Sequence, residues 1–226
     1  MPIISLVRHG QASFGAADYD VLSELGHRQA ALLDAALVAR GTTTTVVRCG
    51  SLRRQRDTAL ACPQAARGPV VEDARWDEYD SADVMRHHAG TGGLADGGGI
   101  GAPAGMTSED FQSMLDGALR QWIGAGDRTS CRESWPAFRD RATGALEELA
   151  AALGRGEDAL VFSSGGTVAA VAGALLGESE ATFVALNKVA VNTSVTKVLV
   201  GRGGLRLMSY NEHAHLEHDR ALMSFR

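Results

Sequence analysis

Four short apolar runs that stop abruptly at charged or small polar residues constrain this chain more than anything else in it. Ile3 to Val7 stops at Arg8-His9-Gly10, "TTTTVVRCG" stops before Ser51, "PVVED" runs on to Trp76-Asp77-Glu78, and "DALVFSS" stops at Gly165. Their β-branched content and length predict strands, and the run Ile3 to Val7 predicts a buried central one. Helical spacing fills the intervals. "LSELGHRQAALLDAALVAR" is closed by Gly41, "SLRRQRDTALACPQAA" is ended by Pro63, and "GTVAAVAGALLG" follows the fourth run directly. "TSVTKVLVG" and "GLRLMSYN" predict a closing hairpin around Arg202-Gly203-Gly204. Strands alternating with helices predict an α/β fold: a three-layer α/β/α sandwich, with a mostly parallel sheet and helices on both faces.

At 226 residues the chain suits one such domain. The segment 81–133 breaks the rhythm. Its glycine-rich first part, "HHAGTGGLADGGGIGAPAG", is unsuited to regular structure, and its second, "TSEDFQSMLDGALRQWI", predicts an amphipathic helix. The expectation is a single domain over 1–226 in which 81–133 forms an inserted cap or lid. A net charge of −5 without a broad basic face argues against nucleic acid and anionic membranes as partners. No stretch approaches the roughly 20 apolar residues of a membrane helix, and no leader-like segment opens the chain. Three cysteines in no metal or CxxC spacing are expected to be reduced thiols, which points to the cytoplasm.

In open α/β sheets ligands bind beyond the carboxyl ends of the strands. Residues remote in sequence would converge there: Arg8-His9-Gly10, Ser51 to Arg54, Trp76 to Glu78, and Ser163 to Thr167. Two arginines beside a histidine suit a phosphate, because a guanidinium pairs with phosphoryl oxygens at two points. A helix starting at Gly166-Thr167 adds free N–H groups, and a histidine in such a cradle can carry the phosphoryl group covalently. "HAHLEHD" has metal-like residues but no second half with ligand spacing, so neither metal nor cofactor is expected. "VFSSGGTV" lacks the glycine that a nucleophile elbow needs two residues before its serine, since Phe162 stands there.

"LVRHGQAS", "LSELGHRQA", "SLRRQRDTA" and "WDEYD", in this order, resemble the motifs of the histidine phosphatase (phosphoglycerate mutase-like) superfamily. The resemblance implies a phosphohistidine at His9, phosphate-binding arginines at Arg8 and Arg54 (rather than Arg53), and an acidic proton donor at Glu78. Gln11, Ser13 and Gly15 continue the first loop as substrate contacts, with Gly15 standing where the family often has asparagine. The implied activity is hydrolysis of a small phosphorylated metabolite, with phosphotransfer or mere phosphate-ester binding as the alternatives. A homo-oligomer is compatible with this reading.

The fourth motif departs from the pattern. The family's Ser-His-Gly-Gly-Thr is Ser163-Ser164-Gly165-Gly166-Thr167 here, so Ser164 replaces the second histidine. Losing one charge-assisted transition-state donor costs about a hundred- to a thousandfold in rate. Three replacements suggest themselves: the Ser164 hydroxyl with the Gly165 N–H, a tail histidine (His213 or, favoured by the resemblance, His215), or Arg53 or Arg56. The expectation is that Ser164 and Gly165 line the cradle, with His215 alongside.

Overall fold

The computed structural model describes residues 1–13, 20–88, 108–177 and 180–225. Six strands form one sheet: β1 (Ile3–Arg8), β2 (Val46–Cys49), β3 (Val70–Glu72), β4 (Ala159–Ser163), β5 (Val195–Gly201) and β6 (Gly204–Glu212), in the order β3-β2-β4-β1-β5-β6. β3, β2, β4 and β1 are mutually parallel, whereas β5 and β6 close the sheet as an antiparallel hairpin. Gly204, at φ +101°, takes the left-handed turn of that hairpin at little steric cost.

Seven α-helices lie among the described residues: α1 (Glu24–Ala39), α2 (Arg53–Leu60), α3 (Ser81–His88), α4 (Ser108–Ala125), α5 (Trp135–Ala152), α6 (Gly165–Leu175) and α7 (Glu180–Val189). Strand periodicity sorts the sheet's side chains into two cores. Val7, Val47, Leu160 and Phe162 pack with α1 and α2 on one face. Ile4, Leu6, Ala159 and Val161 pack with α5 and α6 on the other. The α/β/α sandwich expected from the sequence is the fold observed.

A third core stands beside the sheet. Val84 and Met85 of α3, Ala118, Leu119, Trp122 and Ile123 of α4, Trp135 and Phe138 of α5, and Phe183 and Val184 of α7 share it with Tyr79. The expected amphipathic helix is therefore α4, whose apolar stripe recurs at helical spacing and is buried here. α3 and α7 had no counterpart in the sequence reading. The glycine-rich part of the expected lid, together with Gly15, lies outside the described residues.

β4 and β1 lie at the centre of the sheet, and their carboxyl ends meet in register at Arg8 and Ser163. The first and fourth polar clusters are thus side by side.

Candidate active site

His9 follows β1 directly and is almost wholly buried. Its backbone is clamped: His9 N–H donates to the Ser163 carbonyl at 2.8 Å, and its carbonyl accepts from Asn192 Nδ2 at 3.0 Å. The ring is held from both sides. Nδ1–H donates to the Gly10 carbonyl at 2.7 Å, and Nε2 accepts from Arg54 Nε at 3.1 Å. That pair of bonds selects the tautomer with its lone pair on Nε2. Burial pushes the His9 pKa well below the usual histidine value, helped by Arg54 and then Arg8, while the Gly10 carbonyl pulls the other way. The neutral, nucleophilic ring is thereby favoured.

Gly10 is there for space. A Cβ on it would stand 2.6 Å from the Gly26 carbonyl oxygen of α1. Its N–H donates to Thr58 Oγ1 at 3.0 Å. The loop beyond is tied to the start of α1. Gln11 Oε1 accepts from Ser23 Oγ at 2.8 Å, Gln11 N–H donates to Gln29 Oε1 at 2.8 Å, and Ser13 N–H donates to the Val21 carbonyl at 2.8 Å. Ser23 in turn caps α1 by accepting from Gly26 N–H.

Arg54 stands in the first turn of α2, and its Nη1 donates to Asp20 Oδ1 at 2.6 Å. Asp20 also accepts from the Arg53 N–H at 2.7 Å, so one carboxylate fixes both the helix start and the guanidinium. Arg8 donates through Nη1 to the Ala190 carbonyl and through Nη2 to the Phe225 carbonyl at 3.0 Å. Arg54 and Arg8 both act on His9 and on Glu78, which places the two guanidinium groups, the imidazole and the carboxyl in one electrostatic neighbourhood. Arg53 and Arg56 point away, pairing with Asp57 and Glu72 on the exposed side of α2.

Glu78 Oε2 accepts from Gly166 N–H at the start of α6 at 2.9 Å, and Oε1 accepts from Tyr79 N–H at 3.3 Å. Burial raises its pKa above the usual carboxyl value against the pull of Gly166 N–H, Arg54 and Arg8. The strand-to-helix turn holds this segment by side chains: Ser163 Oγ donates to the Trp76 carbonyl at 2.6 Å and Thr167 Oγ1 to the Asp77 carbonyl at 2.8 Å. Arg141, paired with Glu133, also donates to the Asp77 carbonyl at 2.8 Å.

Gly165 abuts the arginine: a Cβ there would lie 3.3 Å from Arg8 Nε. Ser164, expected to line the cradle, has no exposed surface, and its hydroxyl accepts from Gln55 Nε2 at 2.8 Å. His215 is not joined to the group around His9. Its Nε2 pairs with Thr193 Oγ1 at 3.0 Å, and burial lowers its pKa to about 4. Thr193 lies between the two, because its N–H donates to the Arg8 and His9 carbonyls. Sequence reasoning missed Asp20, Gln55, Thr58 and Asn192. Among the described residues, no three His, Cys, Asp or Glu side chains gather to hold a metal ion.

The model of the histidine phosphatase superfamily (branch 1) matches residues 4–89 and 99–213, most of the chain. The chain belongs to this superfamily. No curated protein sequence matches it significantly. Among solved structures, a mycobacterial glucosyl-3-phosphoglycerate phosphatase is 22% identical with TM-score 0.63, over 95% of this chain and 100% of its own. YhfR of Bacillus stearothermophilus is 19% identical with TM-score 0.66, over 96% and 100%. A phosphoserine phosphatase mutant from Entamoeba histolytica, solved with phosphoserine, is 16% identical with TM-score 0.66, over 96% and 100%. At these identities the likeness is one of fold. In this histidine phosphatase superfamily member, the position after Ser163 carries a neutral hydroxyl–amide pair, Ser164 and Gln55, in which neither group titrates near neutral pH.

Proposed function

We propose that the protein is a phosphomonoester hydrolase working through a phosphohistidine on His9, with small phosphorylated metabolites as substrates. The observation that carries this reading is the His9 ring itself: Nδ1–H is spent on the Gly10 carbonyl, and the bare Nε2 faces Arg54. An incoming phosphoryl group takes over the Arg54 donors, which turn from the ring to the phosphoryl oxygens. Nε2 then attacks phosphorus as the ester P–O bond breaks. The leaving oxygen takes the proton of Glu78, which burial keeps on the carboxyl above the usual range. In the second half, Glu78 as carboxylate takes a proton from water, the water oxygen attacks phosphorus, and the P–N bond breaks to release inorganic phosphate and neutral His9. Arg8 and the start of α6 at Gly165 complete the cradle.

α3 and α4, from the segment 81–133, share a core with Tyr79, next to the acid, which supports reading that segment as a cap on this site. Two structural neighbours bear names of phosphatases for a glucosyl phosphoglycerate and for phosphoserine, which supports small phosphate esters as the substrate class. Among the described residues no helix is long and apolar enough to cross a membrane.

A second reading, a phosphate-ester binding module without turnover, is favoured by one observation: buried, neutral Ser164 stands where the superfamily pattern has histidine. Phosphate release from p-nitrophenyl phosphate and a panel of metabolite esters, by wild type and His9→Ala, decides between them. Release that depends on His9 is expected. Release that survives His9→Ala refutes the mechanism, and no release by wild type favours the binding module.

A further inference from the structure

The mechanism above leaves Gln55 without a part, although it follows Arg54 and is fully buried. Its amide links three pieces of chain. Nε2 donates to Ser164 Oγ at 2.8 Å and to the Trp76 carbonyl at 3.1 Å, while Oε1 accepts from Leu52 N–H at 3.3 Å. Gly50 makes room for it: a Cβ there would stand 1.9 Å from Gln55 Oε1 and 2.4 Å from Asp77 Oδ1. A glycine, an amide and a hydroxyl from three elements thus fit together as one unit.

The two acceptors of Nε2 bracket the acid. Trp76 lies two residues before Glu78 on the same segment. Ser164 is the N-cap of α6, whose Gly166 N–H holds Glu78 Oε2 at 2.9 Å. The preceding residue, Arg54, holds His9 Nε2. One turn of α2 therefore grips the nucleophile with a guanidinium and spaces the acid with an amide.

We propose that Gln55 is a positioning residue of the active site: by clamping the Trp76–Glu78 segment to the head of α6 through Ser164, it fixes the Glu78 carboxyl relative to His9. This inference rests on the phosphohistidine mechanism, in which Glu78 protonates the leaving oxygen. A residue with a purely structural role lowers turnover of all esters alike. One that places the acid matters most where the leaving group needs a proton.

The test compares Gln55→Leu, which retains bulk and removes both donors, with wild type on two esters. The p-nitrophenolate of p-nitrophenyl phosphate leaves without protonation, whereas the alkoxide of glycerol phosphate does not. The expected result is a fall in kcat/KM, which reports the steps up to departure of the leaving group and not the hydrolysis of phosphohistidine that both esters share, of about tenfold or more for glycerol phosphate and less than about threefold for p-nitrophenyl phosphate. Equal losses on both esters, or none, overturn the inference. Should Gln55→Leu fail to fold, Ser164→Ala breaks the same link with a smaller change, and the same two outcomes apply. Wild type that cleaves neither ester overturns the phosphatase mechanism and this inference together. Wild type that cleaves both, beside an evenly impaired variant, overturns this inference alone.

Discussion

Replacing Gly166 by alanine puts a single methyl group against the acid. Gly166 does not have a left-handed φ, so its backbone tolerates any residue and only space demands glycine. A Cβ there would stand 2.2 Å from Glu78 Oε1, 2.5 Å from Tyr79 Cε1 and 2.9 Å from Tyr79 Cδ1. Ordinary contact begins near 3.4 Å, so a shift of about 1 Å is required. Tyr79 cannot supply it, because its ring is buried against Trp122, Phe138 and Phe183 at centroid distances of 5.5, 5.6 and 6.5 Å. The head of α6 must therefore back away from that ring, and the Glu78 carboxyl, at the free end of a side chain, is displaced as well, so its bond from the N–H of residue 166 is weakened. Misplacing a reacting group by about 1 Å costs about a hundredfold in rate, and overpacking costs about 1–3 kcal/mol of stability. Gly166→Ala should therefore lose about a hundredfold in kcat on glycerol phosphate while remaining folded, as read by steady-state kinetics and thermal unfolding. Wild-type kcat in a folded variant would refute the placement of Glu78 as the acid.

Ser164→His alone should lower activity, because Ser164 has no exposed surface and its hydroxyl already touches the Gln55 amide; pairing it with Gln55→Ala opens space and should recover at least part of the loss, and a double variant no better than the single one would show that the space is not shared. The pH profile of kcat/KM should rise at a pH below the usual histidine value of about 6.5, where His9 loses its proton, and fall above the usual carboxyl range, where Glu78 loses its own. Arg54→Ala removes a cation that depresses His9 and should move the acidic limb upward; a downward shift would contradict the assignment. His215, held near 4, stays neutral in the fold while the unfolded chain takes up a proton near 6.5, so stability is full above that pH and falls as pH drops towards 4. His215→Asn should remove up to about 2.5 kcal/mol of this acid dependence in urea unfolding at pH 7.5 and 4.5, and an unchanged pH dependence would count against it.

The central strands β1 and β4 were legible because they are covered on both faces and read as unbroken apolar runs. Val161 and Phe162 point to opposite cores, and neither can be polar. α1, α2 and α6 were legible from their spacing and their glycine or proline stops. α3 was not: it is one short, charged stretch that runs into glycine-rich sequence. α7, "EATFVALNKV", mixes residues suited to strands into a helix and takes its order from the aromatic core through Phe183. The site divides in the same way. Arg8, His9, Arg54 and Glu78 stand at strand ends or helix starts, where topology alone makes side chains converge. Gln55 was hidden within "RRQR", which resembles a solvated helix face, although its neighbours Arg53 and Arg56 do face outward. Asp20, Thr58 and Asn192 serve partners 34, 48 and 183 residues away, which no local pattern signals. Ser164 stands where the superfamily motif has histidine, which predicts a side chain lining the cradle, and the Gln55 side chain that covers it comes from another element.

The central claim is a covalent bond between phosphorus and His9 Nε2, formed when the ester breaks and broken again by water. Rapid acid-free quenching of wild type mixed with p-nitrophenyl phosphate, followed by mass analysis of the peptide holding Arg8, His9 and Gly10, tests it most directly. The account predicts a phosphoryl group on His9 that accumulates within one turnover, decays as inorganic phosphate appears, and is absent from His9→Ala. Steady release of phosphate by wild type with His9 unmodified throughout would contradict it.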